Sequence, residues 1–208
     1  MVLTVKVRNG FDLKIPTRDE CYQLMCDMNM MDHIVVHSLQ VCRVATVLAQ
    51  NLIDQGMVLN FELIQAAALL HDITKTRSFK TKENHADTGG RYLAKLGYAD
   101  VGSLVRQHVR LDEYRQPVSV GNAEIINYAD KRVLHDKVVS LEQRLEYILE
   151  KYAKIPEHRQ RIHRLWEKTR EIENKIFSAL SFSPDDLIGI INGEDRSLDF
   201  QDYKKICG

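Results

Sequence analysis

The pair His71-Asp72 follows an apolar run and is the feature of this chain with the clearest chemical meaning. The run, residues 63–70, reads LIQAAALL and predicts a helical segment that packs inside the protein. An imidazole beside a carboxylate is costly in such a place unless another group pairs with both. A divalent metal ion does so, because it binds an imidazole lone pair and a carboxylate together. The pair therefore predicts a metal site.

Residues elsewhere in the chain could complete this site, because imidazole and carboxylate groups bind iron, manganese, cobalt and zinc. They lie on or at the edge of different predicted helices, as expected for a site in the core of a helical bundle. The candidates are His37, His71, Asp72, His85, His108 and Asp130. A lone buried histidine is more often a core residue than a ligand, and the Asn84-His85 step could be only a helix cap. If it is only a cap, the site holds one metal.

Helical patterns dominate the chain from residue 17 onward. Thr17 and Glu20 predict a capping box, and Gly56 ends a long helix. The predicted helices cover 17–29, 31–54, 61–72, 85–96, 100–109, 123–135, 141–152 and 156–180, with a last short helix from Ser183 and a polar loop over 74–84. Alternating residues around Asn9-Gly10 predict a β hairpin over 2–15. The predicted fold class is all-α, a helical bundle with a small N-terminal β hairpin.

The chain divides into three predicted parts. Residues 1–16 form the hairpin, 17–155 the bundle, and 156–208 a C-terminal helical extension packed on the same domain. The apolar side of the 156–180 helix carries Trp166 and is either core or a dimer surface, so a homo-oligomer is possible. Its basic residues are balanced by acids and predict an ordinary exposed face. These basic residues are Arg159, Arg161, Arg164 and Lys168.

The overall composition excludes several classes of protein. With 29 basic and 29 acidic residues the net charge is +0, which argues against a general nucleic-acid or membrane-surface binder. No apolar stretch approaches the roughly 20 residues of a membrane helix, and the N-terminus lacks a signal-peptide pattern. The cysteines fit no zinc motif and are interpreted as small buried hydrophobes, which favours a reducing cytoplasm. They are Cys21, Cys26, Cys42 and Cys207.

The segment from His37 to Asp130 resembles the HD-domain superfamily of metal-dependent phosphohydrolases, whose signature is H…HD…D. The HD pair with a following Lys75, and two histidines before the last aspartate, is similar to the binuclear branch, which includes the bacterial symmetrical diadenosine tetraphosphatases. The mononuclear nucleotidases carry a glutamate shortly after the HD pair, where this chain has Lys75 and Thr76. The resemblance implies one metal on His37, His71 and Asp130, a second on His85 and His108, and Asp72 as the bridge.

The resemblance implies hydrolysis of a phosphoester or phosphoanhydride bond in a nucleotide or dinucleotide by a metal-activated hydroxide. The two ions could be iron, manganese, cobalt or nickel. We expect Lys75, one turn after His71, to bind a phosphoryl oxygen, and Arg77 to assist in substrate binding. His33, one turn before His37, could support the site from behind its ligands. The alternatives are a cyclic-dinucleotide or nucleoside-monophosphate phosphohydrolase with the same ligands, and a nucleotide sensor without turnover.

Overall fold

A computed structural model of the chain describes residues 13–112, 119–192 and 197–208. The helices are α1 (Arg18–Asp27), α2 (Asp32–Asp54), α3 (Phe61–Leu70), α4 (Lys75–Thr81), α5 (His85–Lys95), α6 (Ala99–Gln107), α7 (Asn122–Lys131), α8 (Leu141–Tyr152), α9 (Pro156–Phe177), α10 (Asp186–Asn192) and α11 (Ser197–Cys207). Val133–Leu134 (β1) and Lys137–Val138 (β2) pair as a short antiparallel hairpin. The predicted all-α class is confirmed, whereas the hairpin predicted over 2–15 lies outside the described residues up to residue 12. Residues 13–17 form no strand.

Helix α2 is the centre of the bundle and contacts α3, α7, α10 and α11. One face of this helix repeats aliphatic side chains at helical spacing, and that face is buried. Its buried aliphatic residues include Ile34, Val41, Val44, Leu48 and Leu52. The capping box predicted at Thr17 is present at the start of α1, where Thr17 Oγ1 accepts from the amide of Glu20. The pattern of apolar residues thus sets which helix face forms the core.

Helices α5 and α6 pack closely because two glycines face each other. A Cβ on Gly90 would lie 2.7 Å from the carbonyl oxygen of Gly102, and one on Gly102 would lie 2.5 Å from that of Gly90. Either methyl group would force the helices apart, so neither position tolerates alanine without a backbone shift. The pairing brings the first residue of α5, His85, beside the residue that follows α6, His108. Helix packing therefore joins two predicted ligands that are 23 residues apart in sequence.

Helix α9 packs against α7 and α8. Trp166 is 3% exposed, and its indole N–H donates to the carbonyl oxygen of Leu141, so this residue belongs to the core. Glu173 accepts from the hydroxyl of Tyr128 at 2.5 Å, and Tyr128 in turn accepts from Arg132. These contacts hold the last turn of α7 in place. The sequence left open whether Trp166 lies in the core or on a dimer surface, and its burial places it in the core.

Three local predictions are wrong. The helix predicted over 123–135 ends at Lys131, and Val133–Leu134 form strand β1 instead. The polar segment 74–84 contains helix α4 rather than only a loop; none of the α4 residues is buried, so the segment has no apolar stripe to reveal it. The last helix is not the one after Ser183: that helix begins at Asp186, and α11 follows it. Helix α11 has a weak amphipathic pattern in the sequence. Among the described residues, no helix combines the length and apolar character needed to cross a membrane.

The cysteines also differ from expectation. Cys26 in α1 and Cys207 in α11 form a disulfide, with Cα atoms 5.6 Å apart, whereas Cys21 and Cys42 are free and buried. The interpretation as small buried hydrophobes is therefore wrong for Cys26 and Cys207. Disulfides persist mainly in oxidising compartments. The cysteines no longer support a cytoplasmic location, which stays a prediction.

Candidate metal centre

The pair His71-Asp72 lies directly after the C-terminal end of helix α3. His71 is the residue that follows this helix, and Asp72 comes next; the two are 0% and 1% exposed. The apolar face of α3 packs on α2, and this packing carries the pair into the interior. The burial predicted from the run before His71 is therefore present.

Asp72 is shared by two groups of donor atoms. His37 and His71 form one group with it, and His85 and His108 form the other; the donor atoms within each group lie within 4.8 Å of one another. Oδ2 of Asp72 lies 3.4 Å from Nε2 of His71, and Oδ1 lies 3.2 Å from Nε2 of His85. The two carboxylate oxygens thus face different groups. This is the arrangement that a bridging carboxylate requires.

Asp130, near the end of α7, completes the first group. Its Oδ1 lies 3.1 Å from Nε2 of His37 and 3.7 Å from Nε2 of His71. We call the six residues the histidine–aspartate cluster; they are His37, His71, Asp72, His85, His108 and Asp130. All six residues predicted from the sequence as metal ligands meet at this place. Whether they can act as ligands depends on the protonation and hydrogen bonding of their imidazole and carboxylate groups.

Backbone carbonyls fix the orientation of three imidazoles. Nδ1 of His37 lies 3.0 Å from the carbonyl oxygen of His135, Nδ1 of His71 lies 2.8 Å from that of Ala68, and Nδ1 of His108 lies 2.7 Å from that of Val105. A carbonyl only accepts, so each Nδ1 donates its proton. In a neutral ring Nε2 then carries a lone pair. All three Nε2 atoms point into the cluster.

His37 and His108 each direct the Nε2 of a neutral ring toward a carboxylate. Burial lowers the pKa of His37, and burial together with the charge of His71 lowers the pKa of His108 to about 3. Both rings are therefore neutral, and a neutral ring has one N–H. His37 cannot donate to the His135 carbonyl and to Asp130 at once, although both contacts are short. A cation between Nε2 and the carboxylate removes this conflict.

The carboxylates remain ionised despite their burial. Burial acts to raise the pKa of Asp72, but the charges of His71 and Lys75 outweigh it and hold the pKa well below its usual range. Burial likewise acts to raise the pKa of Asp130, but its contact with His37 and the charges of His71 and Arg144 hold that pKa low. Burial acts to lower the pKa of His71, yet the Asp72 carboxylate raises it. The cluster therefore favours positive charge.

Unpaired atoms show that the residues fit a metal. Nε2 of His71 and Oδ1 of Asp72 are buried and have no hydrogen-bond partner in the described structure. Nε2 of His85 and Nε2 of His108 lie 3.2 Å apart, with the proton of His108 committed to Val105. Buried polar atoms without partners cost about 1–3 kcal/mol each. Imidazole and carboxylate donors of this kind suit first-row divalent metals, which would satisfy them together.

Lys75 and Arg77 lie differently with respect to the cluster. Nζ of Lys75 is 2.7 Å from Oδ2 of Asp72, and its side chain is 32% exposed, so it reaches from the cluster to solvent. Arg77 pairs instead with the exposed carboxylate of Glu83 at 2.9 Å. The structure does not bring Arg77 to the cluster, and its part in substrate binding stays a prediction. His33 is exposed, so its predicted supporting position is wrong.

The helix cap and the predicted ligand at the start of α5 are different residues. The side chain of Asn84 caps this helix by accepting from the amide of Ala86 at 3.0 Å. The imidazole of His85 is left free to face Asp72 and His108. The cap and the predicted ligand are thus adjacent residues, and the alternative in which His85 is only a cap is not needed.

Sequence reasoning missed three polar residues around the cluster. Lys131 is 4% exposed and donates to the carbonyl oxygen of His108 at 3.1 Å, and Asn127 donates to the same oxygen at 3.0 Å. Burial lowers the pKa of Lys131 to about 8. Together the two side chains hold the turn that carries His108. Their neighbours Ile125, Ile126 and Ala129 were the available signal, since they place α7 in the core.

Arg144 of α8 is the third missed residue. Its Nε is buried without a hydrogen-bond partner in the described structure, and its guanidinium lies 5.7 Å from the ring centroid of Tyr147. That ring lies against His135, whose carbonyl holds His37. Arg144 therefore lies on the Asp130 side of the cluster, which agrees with its effect on the pKa of Asp130. Nothing in the sequence near Arg144 indicated this position.

Comparison with known proteins gives one finding. A family model described as the HD domain matches residues 34–176, which include all six cluster residues. The matched segment runs from the first turn of α2 to the last turn of α9. No curated protein and no solved structure matches the chain.

Proposed function

The chain belongs to the HD domain family, and from that premise we propose that it hydrolyses a phosphoester or phosphoanhydride bond of a nucleotide or dinucleotide. Members of the family are in general metal-dependent hydrolases. The proposal for this chain rests on one observation above all: Asp72 presents one oxygen to each of two groups of histidines. A carboxylate placed in this way suits a centre with two metals rather than one.

We assign the ligands by their distances. His37, His71 and Asp130 would hold one ion, His85 and His108 the other, and Asp72 both. When bound, two divalent ions activate water as a nucleophile and neutralise phosphoryl oxygens. The backbone carbonyls that accept from Nδ1 of His37, His71 and His108 leave the three Nε2 atoms facing the cluster, where they would hold the ions.

Positive side chains at the edge of the cluster would bind the substrate. Lys75 reaches from Asp72 toward solvent, and its ammonium can move from the carboxylate to a phosphoryl oxygen. Arg144 offers a guanidinium with a buried Nε that has no partner in the described residues. A phosphate bound between these two side chains would lie beside the cluster. Lys75 then stabilises charge on the phosphoryl group, and Arg144 orients it.

The test combines metal content with turnover. Protein purified without chelator is analysed for metal per chain and assayed for phosphate release from a nucleotide panel that includes diadenosine tetraphosphate, with manganese or ferrous iron added. We expect about two metals per chain and hydrolysis of at least one panel member. Asp72→Ala is the matched variant and should lose both properties. One metal or none, with no turnover of any nucleotide, would overturn the proposal in favour of a sensor or a mononuclear enzyme.

A further inference from the structure

A second concave site lies outside the histidine–aspartate cluster. It is a cavity of about 560 Å³ between the middle of α9 and the turn that follows α6, and we call it the α9 cavity. Its volume falls in the range of small-molecule sites, roughly 300–1,000 Å³. No residue of the cluster lines it. Apolar side chains form much of its wall, namely Val109, Leu111, Ile162, Leu165 and Ile172.

Four positive side chains surround this apolar wall. Arg161, Arg164 and Lys168 follow one another at positions i, i+3 and i+7 of α9 and so share a face of the helix. Arg110 approaches from the turn on the opposite side. All four are exposed, and none forms an ion pair with the described residues. The cavity thus gathers positive charge that no described carboxylate pairs with.

The acidic residues near the cavity do not neutralise this charge. Asp112 also lines the cavity, but both of its carboxylate oxygens accept from the guanidinium of Arg106. Glu157 and Glu171 occupy helical spacing relative to Arg161 and Lys168, yet neither makes an ion pair with them. Like charges gathered around an apolar concavity repel one another in the absence of an anion. A ligand with negative charge would relieve that repulsion.

The two properties together define the chemistry of the ligand. Inorganic phosphate would use the positive rim but leave the apolar wall in water, and a neutral hydrophobic molecule would use only the wall. A molecule with both an apolar body and more than one negative charge uses each part. We propose that the α9 cavity binds an organic phosphate with an apolar body at a site separate from the histidine–aspartate cluster.

One residue that lines the cavity also holds the turn of His108, which belongs to the cluster. Asn127 lines it and donates from Nδ2 to the carbonyl oxygens of Gln107 and His108, each at 3.0 Å. A ligand in the cavity therefore lies against the side chain that holds the His108 turn. The binding proposal does not depend on hydrolysis, so it can be tested with metals removed by EDTA.

The test uses 1-anilinonaphthalene-8-sulfonate, a fluorescent aromatic anion, titrated into the full chain in EDTA. We expect saturable binding that Arg164→Glu weakens about tenfold, the scale of one lost charge-assisted contact. Arg159→Glu is the matched control, because it reverses one exposed charge on the same helix outside the cavity, and it should change the affinity less than twofold. Circular dichroism and thermal unfolding establish that both variants are folded. Equal binding to wild type and Arg164→Glu would overturn the proposal.

Displacement of the probe then identifies the type of apolar body. A nucleoside triphosphate and dodecyl phosphate are compared with inorganic phosphate at equal ionic strength. Stronger displacement by the nucleotide supports an aromatic base as the body, and stronger displacement by dodecyl phosphate supports an alkyl chain. If inorganic phosphate displaces the probe as well as either organic ligand does, the apolar wall contributes nothing and the proposal fails. None of these outcomes depends on whether the chain hydrolyses nucleotides.

Discussion

The histidine–aspartate cluster and the α9 cavity gather charged groups of opposite sign. In the cluster, the ionised carboxylates of Asp72 and Asp130 face the Nε2 atoms of four histidines. In the α9 cavity, four cationic side chains form no ion pair with the residues that the structure describes. The two regions also differ in rigidity. Backbone carbonyls fix the cluster imidazoles, whereas the cations of the cavity are exposed ends of long side chains.

This difference governs how tightly each region can bind its ligand. The cluster atoms are already ordered when the protein folds, so a bound ion gains attraction at little further cost in entropy. Each exposed arginine or lysine in the cavity must lose rotamer freedom, about 0.5–1.5 kcal/mol per side chain, when a ligand binds. Substitutions in the cluster should therefore act in an all-or-none manner, and those in the cavity should act by degrees.

In the histidine–aspartate cluster, the variant with the largest expected effect is Asp72→Ala. This change removes the carboxylate that both groups of histidines share, so we expect loss of both metals and a fall in turnover of at least about 10³-fold. Metal analysis and phosphate release measure the two effects. The control is Asp54→Ala, which removes an exposed carboxylate from α2 and should alter neither. A variant that kept its metals and its activity would contradict the bridging role of Asp72.

His85→Ala tests whether the cluster contains two separable sites. His85 contacts Asp72 and His108 and lies outside the group of His37, His71 and Asp130. We therefore expect the loss of about one metal per chain and a fall in turnover of at least about 10²-fold. His158→Ala, on the exposed part of α9, provides the control. Two metals in the variant would show that His85 is not a ligand.

Lys75→Ala tests the boundary between the buried cluster and the partly exposed side chain at its edge. The side chain is partly exposed and contacts Asp72 through a single ion pair, so its removal should leave the metals in place. We expect kcat to fall about 10–100-fold through loss of phosphoryl stabilisation. Steady-state kinetics and metal analysis are compared with those of Lys95→Ala, an exposed lysine of α5. Unchanged kinetics would remove Lys75 from the mechanism.

Asn127→Ala tests whether the two regions are coupled, and its expected effect is the smallest. The change leaves the carbonyls of Gln107 and His108 with one donor fewer, which costs about 1–3 kcal/mol of unfolding free energy. Lys131 still donates to the His108 carbonyl, so metal affinity should fall by less than about tenfold. Urea unfolding and metal titration measure the two quantities.

Asn174→Ala, an exposed change on α9, serves as the control for that measurement. If Asn127→Ala lost a full metal equivalent, the His108 turn would depend on this one side chain. The cluster would then be less independent of the cavity than the geometry indicates. Wild-type stability would instead mean that Gln107 and His108 find other donors.

The residues of the cluster could be predicted from the sequence, but the groups that orient them could not. His71-Asp72 after an apolar run, with His37, His85, His108 and Asp130 on separate helices, could be selected because ligand side chains have distinct chemistry. The carbonyl that orients His37 comes from His135, which has a left-handed backbone with φ 57° at a turn between two short strands. A backbone carbonyl has no sequence signature. Its position depends on the tertiary fold.

The α9 cavity was hidden for a similar reason. The basic residues Arg161, Arg164 and Lys168 were visible and were correctly expected to be exposed. Their opposing neighbour, Arg110, lies on another element about 50 residues earlier, and only the packing of α9 brings the two sides together. A concave surface made from two distant segments cannot be seen in the periodicity of either one. Helix α4 was predicted as a loop for a related reason: it has no buried face, so its sequence has no apolar periodicity.

The bond between Cys26 and Cys207 turns nearly the whole chain into a covalent ring. It joins residues 181 positions apart, and every residue of the cluster lies on the ring. A ring that is cut once remains one molecule, so a single proteolytic cut between the two cysteines would release no fragment. Reduction would divide the same nicked protein into two pieces. Electrophoresis with and without reductant would therefore distinguish a closed ring from a linear chain.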